Sequence, residues 1–188
     1  MVEIGHVLPE PLALASHRLS NPGGLWGGFP GTPNKRELRH QLNLEQDGLC
    51  IYCESELDLE EGHVEHIKSK TLNPPLAFVY DNLSHSCNGP GRCGHQKRRE
   101  ILPIEPRPNA NNFFALSELT GAISPTIGLA KDDHEKSKST LLMLGLNNDT
   151  GLKRRRQQFA VTLRALSTAA DIAAFLSNAP FRWSLKCL

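Results

Sequence analysis

The chain of 188 residues is poor in aromatic side chains, at 6%, and in net charge, at +1. It also lacks any apolar run near the ~20 residues of a membrane-spanning helix, so no helical span is expected. The small net charge excludes a global electrostatic pull on nucleic acid, so any such affinity must come from local clusters. The scarcity of aromatics leaves no evident platform for stacking bases. Residues Met1 to Pro11 hold Glu3, His6 and Glu10 but no basic stretch. No secretory signal is therefore expected, and a reducing cytoplasm is the expected compartment. Internal repeats and low-complexity tracts are absent. The cysteines number five, which is odd, so a closed disulfide framework is not expected.

What is present is ordinary for a soluble globular chain: 39% hydrophobic and 22% charged residues. A chain of this length buries roughly 70% of its unfolded surface without staples. Residues 1–31 are rich in Pro and Gly and read as an arm rather than a packed element, with Trp26 and Phe29 as anchors on the core or on a partner. Thr32-Pro33 is a helix start, with Thr32 as cap, and the helix runs to about Asp47 with Leu38, Leu42 and Leu49 as its apolar edge. Residues 62–67 and 82–86 predict two short strands, and residues 93–101 a helix. Residues 109–188 form a further lobe: a hairpin over 113–124 turning near Gly121, then helices over 131–144, 151–166 and 169–176. The fold class is α+β.

The chemistry concentrates between Cys50 and Arg99. Cys50 and Cys53 form C-x2-C, and Cys87 and Cys93 form C-x5-C. Four thiolates suit a tetrahedral zinc with no open position, hence a structural one. The competing reading is four buried free cysteines. Between and after the pairs lie His63, Glu65-His66, Asn82, His85 and His95. Histidine has the ordinary pKa, ~6.5, to take a proton from water near neutral pH. Glu65 offers a hard oxygen to a divalent cation such as Mg²⁺. Taken alone, Glu65-His66 also fits a solvated strand end, and Asn82 a plain turn residue. His95 can instead complete the zinc set in place of one cysteine, and His63 and His85 lie close enough to be recruited. Lys97, Arg98 and Arg99 can clamp phosphate. Lys153 to Arg156 form a second basic run, suited to phosphate, to a protein partner or merely to solvent. Cys187 has no assignable role.

The set Glu65-His66, Asn82 and His95, with Arg98 at the following basic place, resembles the motif of HNH endonucleases of the ββα-metal class. V-E-H-I-K-S-K, D-N-L-S-H-S-C-N and C-G-H-Q-K, with I-L-P-I-E-P, F-F-A-L, G-A-I-S-P and L-G-L-N downstream, resemble the retron- and Septu-associated nucleases of bacterial phage defence. The likeness runs from about Thr32 to Arg156. Two departures are the C-x5-C spacing and Lys68-Ser69-Lys70, where a Pro is common in the family.

The resemblance implies a ββα-metal core with a zinc knuckle over residues 32–108 and a mainly helical C-terminal lobe. It implies phosphodiester hydrolysis with His66 as general base, Asn82 orienting it, and Glu65 and His95 holding Mg²⁺ or Mn²⁺. It also implies a DNA substrate, an ABC-type ATPase partner and, in retrons, a reverse transcriptase with its DNA. The alternatives are an RNA nuclease, with tRNA as one target, and a non-catalytic zinc module that binds nucleic acid or a partner. The latter has no need of a general base.

Overall fold

The computed structural model describes residues 1–31 and 33–188; Thr32, the expected helix cap, lies outside them. The architecture is α+β. Helix α1 spans Leu12–Ser20 and α2 spans Asn34–Glu45. Strands β1 (His63–His66) and β2 (Leu83–Ser86) pair antiparallel, with Glu65 opposite Ser84 and His66 opposite Leu83. Helix α3 follows at Cys93–Lys97. Strands β3 (Phe114–Leu116) and β4 (Ile123–Pro125) form a second hairpin. Helices α4 (Lys131–Leu144), α5 (Thr150–Ala165), α6 (Ala169–Asn178) and α7 (Arg182–Leu185) complete the chain. No helix among the described residues is long and apolar enough to cross a membrane.

The opening 31 residues are not a loose arm. Pro11 fixes the φ that α1 needs at its start, and Leu14 on that helix is fully buried. Leu14 joins Phe29, Leu38, Leu42, Phe78 and Leu83 in one apolar cluster, with Trp26 packed on its edge. Trp26 and Phe29 thus anchor on the chain's own core. Met1, Val2 and Ile4 join the larger cluster, which holds the four cysteines of the pairs together with Leu144, Leu152 and Phe181. Glu54, at a positive φ of 60°, turns the chain just after Cys53. Its buried carboxylate accepts from the backbone of Trp183 and Ser184, which ties α7 to the cysteine turn.

Helix α3 is shorter than expected. Arg98 adopts φ 53° and stops it after five residues. In the C-terminal lobe, Asp149 caps α5 by accepting from the Leu152 N–H at 3.0 Å, and Thr168 caps α6 from the Asp171 N–H at 3.1 Å. Gly121 lies so close to α5 that a Cβ there would sit 1.8 Å from the Lys153 carbonyl oxygen. The hairpin tip and α5 therefore pack backbone to backbone.

The basic run on α5 is not one surface. Leu152, Arg156 and Ala160 recur at i, i+4, i+8 and form its buried stripe. Arg154 and Arg155 are exposed, whereas Arg156 is 0% exposed, donates to the Leu146 carbonyl at 2.9 Å and stacks on Phe181. Burial lowers its pKa against the pull of the Cys53 sulfur, the Glu54 carboxylate and the Cys93 sulfur. Removing one partner from such a buried charge set typically costs ~3 kcal/mol, or ~6–12 °C in a chain of this size. Arg156→Ala is expected to lower the thermal midpoint by that order, while Arg154→Ala and Arg155→Ala leave it nearly unchanged in the same melts.

Candidate active site and metal centre

Cys50 and Cys53 lie in the turn after α2, Cys87 follows β2, and Cys93 opens α3. All four are buried, and their sulfurs lie within 4.8 Å of one another. Cys53 and Cys87 sulfurs are 3.9 Å apart. A tetrahedral zinc with Zn–S of ~2.3 Å sets sulfurs ~3.8 Å apart, so the group fits such an ion. Polar hydrogens point at the sulfurs. The Cys87 N–H is 3.4 Å from Cys50 Sγ, the Ser55 hydroxyl 3.2 Å from Cys53 Sγ, and an Arg92 guanidinium nitrogen 4.0 Å from Cys53 Sγ. Burial pushes the Cys50 thiol up, and contacts with its sulfur neighbours push Cys93 up while lowering Cys53. Four thiols in a dry pocket cannot all ionise alone, and a divalent cation is the natural remedy. Despite the C-x5-C spacing, the four sulfurs converge without His95. This is the one such ligand group of three or more among the described residues.

Beside this centre, β1 presents two faces. His63 and Glu65 point one way, two residues apart. Glu65 Oε1 accepts from the Tyr52 hydroxyl at 3.1 Å and from Lys97 Nζ at 2.8 Å. Glu65 Oε2 lies 3.2 Å from His63 Nε2. Burial alone would raise Glu65, but His63 and Lys97 outweigh it and hold the carboxyl below its usual range. The His63 and His95 rings are 5.1 Å apart, and His95 is exposed on α3. Gly94 makes this proximity possible, since a Cβ there would fall 2.6 Å from Glu65 Oε2 and 2.8 Å from His63 Nε2.

His66 points the other way. It is 4% exposed, its Nε2–H donates to the Ala77 carbonyl at 3.1 Å, and the Trp26 ring stands edge-on at 4.5 Å. That bond leaves Nδ1 as the basic atom. Burial, helped by Lys70, lowers His66 to about 4. Asn82 pins the segment between the strands. Its Oδ1 accepts from the Lys68 N–H at 2.8 Å, and its Nδ2 donates to the Lys68 and Leu76 carbonyls at 2.9 and 3.0 Å. It is more than a turn residue.

Three sequence expectations change. Lys97 cannot clamp phosphate: it is 0% exposed and bridges Glu65 to the His66 carbonyl. Arg98 and Arg99 remain exposed. His85 is buried, held by Asn43 at 3.0 Å and the Glu61 carbonyl at 2.7 Å, and plays a packing part. The side chains of Glu65 and His66 leave β1 on opposite sides, towards Lys97 and towards Trp26 respectively. His63, which the sequence offered only as a residue close enough to be recruited, stands at the carboxylate. The alternation H-x-E in β1 was the signal for it.

The chain resembles retron-associated HNH endonucleases. It is 36% identical over 132 residues to the "Retron Vc95 putative HNH endonuclease" of Vibrio cholerae serotype O1 biovar El Tor, covering 65% of this chain and 64% of that protein. It is 29% identical over 154 residues to the "Retron Ec83 putative HNH endonuclease" of Escherichia coli, covering 62% and 59%. The chain thus spans somewhat under two thirds of the length of these curated relatives. No protein-family model matches it.

Two outcomes are expected. Protein purified without chelator should carry about one zinc per chain by metal analysis, and Cys50→Ser should lose both the zinc and the folded state. Stability should also fall with acid. His66 and His85 are both lowered by burial to about 4, against an ordinary value of ~6.5. As pH drops from ~6.5 towards 4, the unfolded chain takes protons that the folded chain refuses. Thermal melts across this window, with zinc content followed in parallel, should show a falling midpoint; a flat profile would contradict the burial of both rings.

Proposed function

We propose that this chain is a metal-dependent HNH endonuclease that hydrolyses phosphodiester bonds, with DNA as the favoured substrate. The observation that carries the reading is the division of labour on β1 and β2. One face gathers Glu65, His63 and His95 at α3, and the other sets His66 beneath a segment fixed by Asn82. Strand, strand and helix in this order form the ββα-metal core, within residues 32–108, and residues 109–188 brace it. The names of the relatives support the same class.

In this reading His66 Nδ1 removes the proton from a water as that water attacks phosphorus, and the leaving oxygen departs in line on the far side. Being neutral at pH 7, His66 is ready to accept that proton. Asn82 keeps the Ala77 side of the loop in place, and so keeps the imidazole in one tautomer. Glu65 and His95 would hold the divalent ion, Mg²⁺ or Mn²⁺, which would supply charge stabilisation at the scissile phosphate; because Glu65 and His66 leave β1 on opposite sides, that phosphate would have to reach both across the edge of the strand. Lys97 neutralises Glu65 from inside. Lys70, in a groove of about 310 Å³ with Trp26 and Thr71, lies with Arg98 and Arg99 among the cations open to the strand. Trp26, edge-on at 4.5 Å, covers part of the His66 ring and so limits the approach of water to it. The relatives' names support a retron setting; the further proposal, drawn from the motif resemblance alone, is action in phage defence in the cytoplasm with a reverse transcriptase, its DNA and an ABC-type ATPase.

His66→Ala is expected to slow cleavage by ~10²–10⁴-fold while keeping zinc and fold, and no added Mn²⁺ should restore it. Glu65→Ala should be partly restored by Mn²⁺. Trp26→Ala should speed cleavage by uncovering the base. Rates on DNA and RNA side by side check all three, and near-normal activity of His66→Ala would overturn the reading.

A further inference from the structure

We propose that His63 is a protein donor to the divalent ion at Glu65, that Asn88 positions it, and that the completed set selects a first-row transition ion over Mg²⁺. The inference deepens the nuclease reading and rests on it.

The argument begins with hydrogen-bond capacity. Asn88 Oδ1 lies 3.0 Å from His63 Nδ1. An amide oxygen only accepts, so Nδ1 carries the hydrogen and Nε2 of the neutral ring presents its lone pair. That lone pair faces Glu65 Oε2 at 3.2 Å. Glu65 Oε1 is already engaged by Tyr52 and Lys97, whereas Oε2 has His63 as its neighbour. Two electron-rich atoms at this distance are joined either by a second proton on Nε2 or by a metal ion that takes that proton's place. Neighbouring donors around an octahedral ion with ~2.1 Å bonds are ~3.0 Å apart, which the observed spacing matches. A carbonyl-type oxygen fixing the far nitrogen of the ring is also the usual support of a metal-bound histidine.

The surroundings keep the place clear. Any side chain at 94 would drive into both donor atoms, so Gly94 holds the gap that the ion would occupy. His95 is exposed, with its ring 5.1 Å from that of His63; its donor atoms stand apart from Glu65 and His63 as the chain is folded, and a side-chain rotation would supply the third donor. Two imidazoles and one carboxylate are softer than the all-oxygen shell that Mg²⁺ prefers, and suit Mn²⁺ and the later divalent ions better.

The test uses zinc-loaded full-length protein and Mn²⁺ alone as probe, since Mn²⁺ competes poorly for the thiolates. Pulsed electron paramagnetic resonance of wild type should report two directly bound imidazole nitrogens. His63→Ala should show one and weaken Mn²⁺ affinity by ~10²-fold, and Asn88→Ala should weaken it by ~10-fold, each with wild-type zinc content. Mg²⁺ should displace Mn²⁺ from wild type only in large excess. One bound nitrogen in wild type overturns the proposal independently of how any variant folds. So does unchanged affinity in His63→Ala while Glu65→Gln loses Mn²⁺, and that result leaves the metal-dependent nuclease reading standing. If wild type binds no Mn²⁺ at all, both readings fall.

Discussion

The convergence of four sulfurs on one point is the constraint on which the rest of the molecule depends. The turn after α2, the end of β2 and the start of α3 meet there, although 42 residues of chain lie between the first and last cysteine, Cys50 and Cys93. The strands are four residues long and α3 has five, lengths at which neither would persist alone. The apolar cluster around the four sulfurs, with an ion that their spacing would accommodate, would replace the cooperativity that longer elements supply. The charge balance extends outward from there. A divalent ion with four thiolates retains about two negative charges. Arg92 lies against Cys53, and Arg156 is buried in the next layer, so cations surround the centre from the C-terminal side. The helical lobe is thereby coupled electrostatically to the core it covers.

A second layer of order sits on β1. A regular strand sends alternate side chains to opposite faces, and here the faces differ in kind. One is polar and holds Glu65, His63, Tyr52 and Lys97. The other is aromatic and holds His66 with Trp26, next to Phe29 and Phe78. Carboxylate and imidazole are adjacent in sequence but placed in contrasting surroundings, so one remains ionised and the other neutral at pH 7. Lys97 spans the two by pairing with the Glu65 side chain and donating to the His66 carbonyl.

The sequence carried much of this. Cysteine pairs, the H-x-E-H strand, the order strand–strand–helix and the Leu38–Leu42 stripe were all legible, because each is a local spacing tied to one geometry. The stretch Lys131–Leu144 matched its helix end to end, since Gly145 in the left-handed conformation stops it. What stayed hidden depended on partners distant in the chain. Lys97 and Arg156 look like surface cations in their basic runs, and only the fold reveals that Glu65 and the cysteine centre draw them inward. Helix α1 was masked by surrounding Pro and Gly, whose local veto on regular structure is overcome by Leu14 docking against Leu38 and Phe29. The early stop of α3 follows from Arg98 at positive φ, a conformation that its residue type does not advertise.

The pairing of β1 with β2 places Glu65 opposite Ser84 and His66 opposite Leu83. Because side chains alternate with period two, a slip of one residue would exchange the faces, sending the carboxylate among the aromatics and the imidazole to the lysine. The genetic consequence is an asymmetry between kinds of change. Point substitutions in β1 alter one side chain on one face at a time. Deleting or inserting a single codon within it exchanges both faces, so natural length variation in this lineage should gather in the loops at residues 58–61 and 69–79, and spare the four residues between His63 and His66.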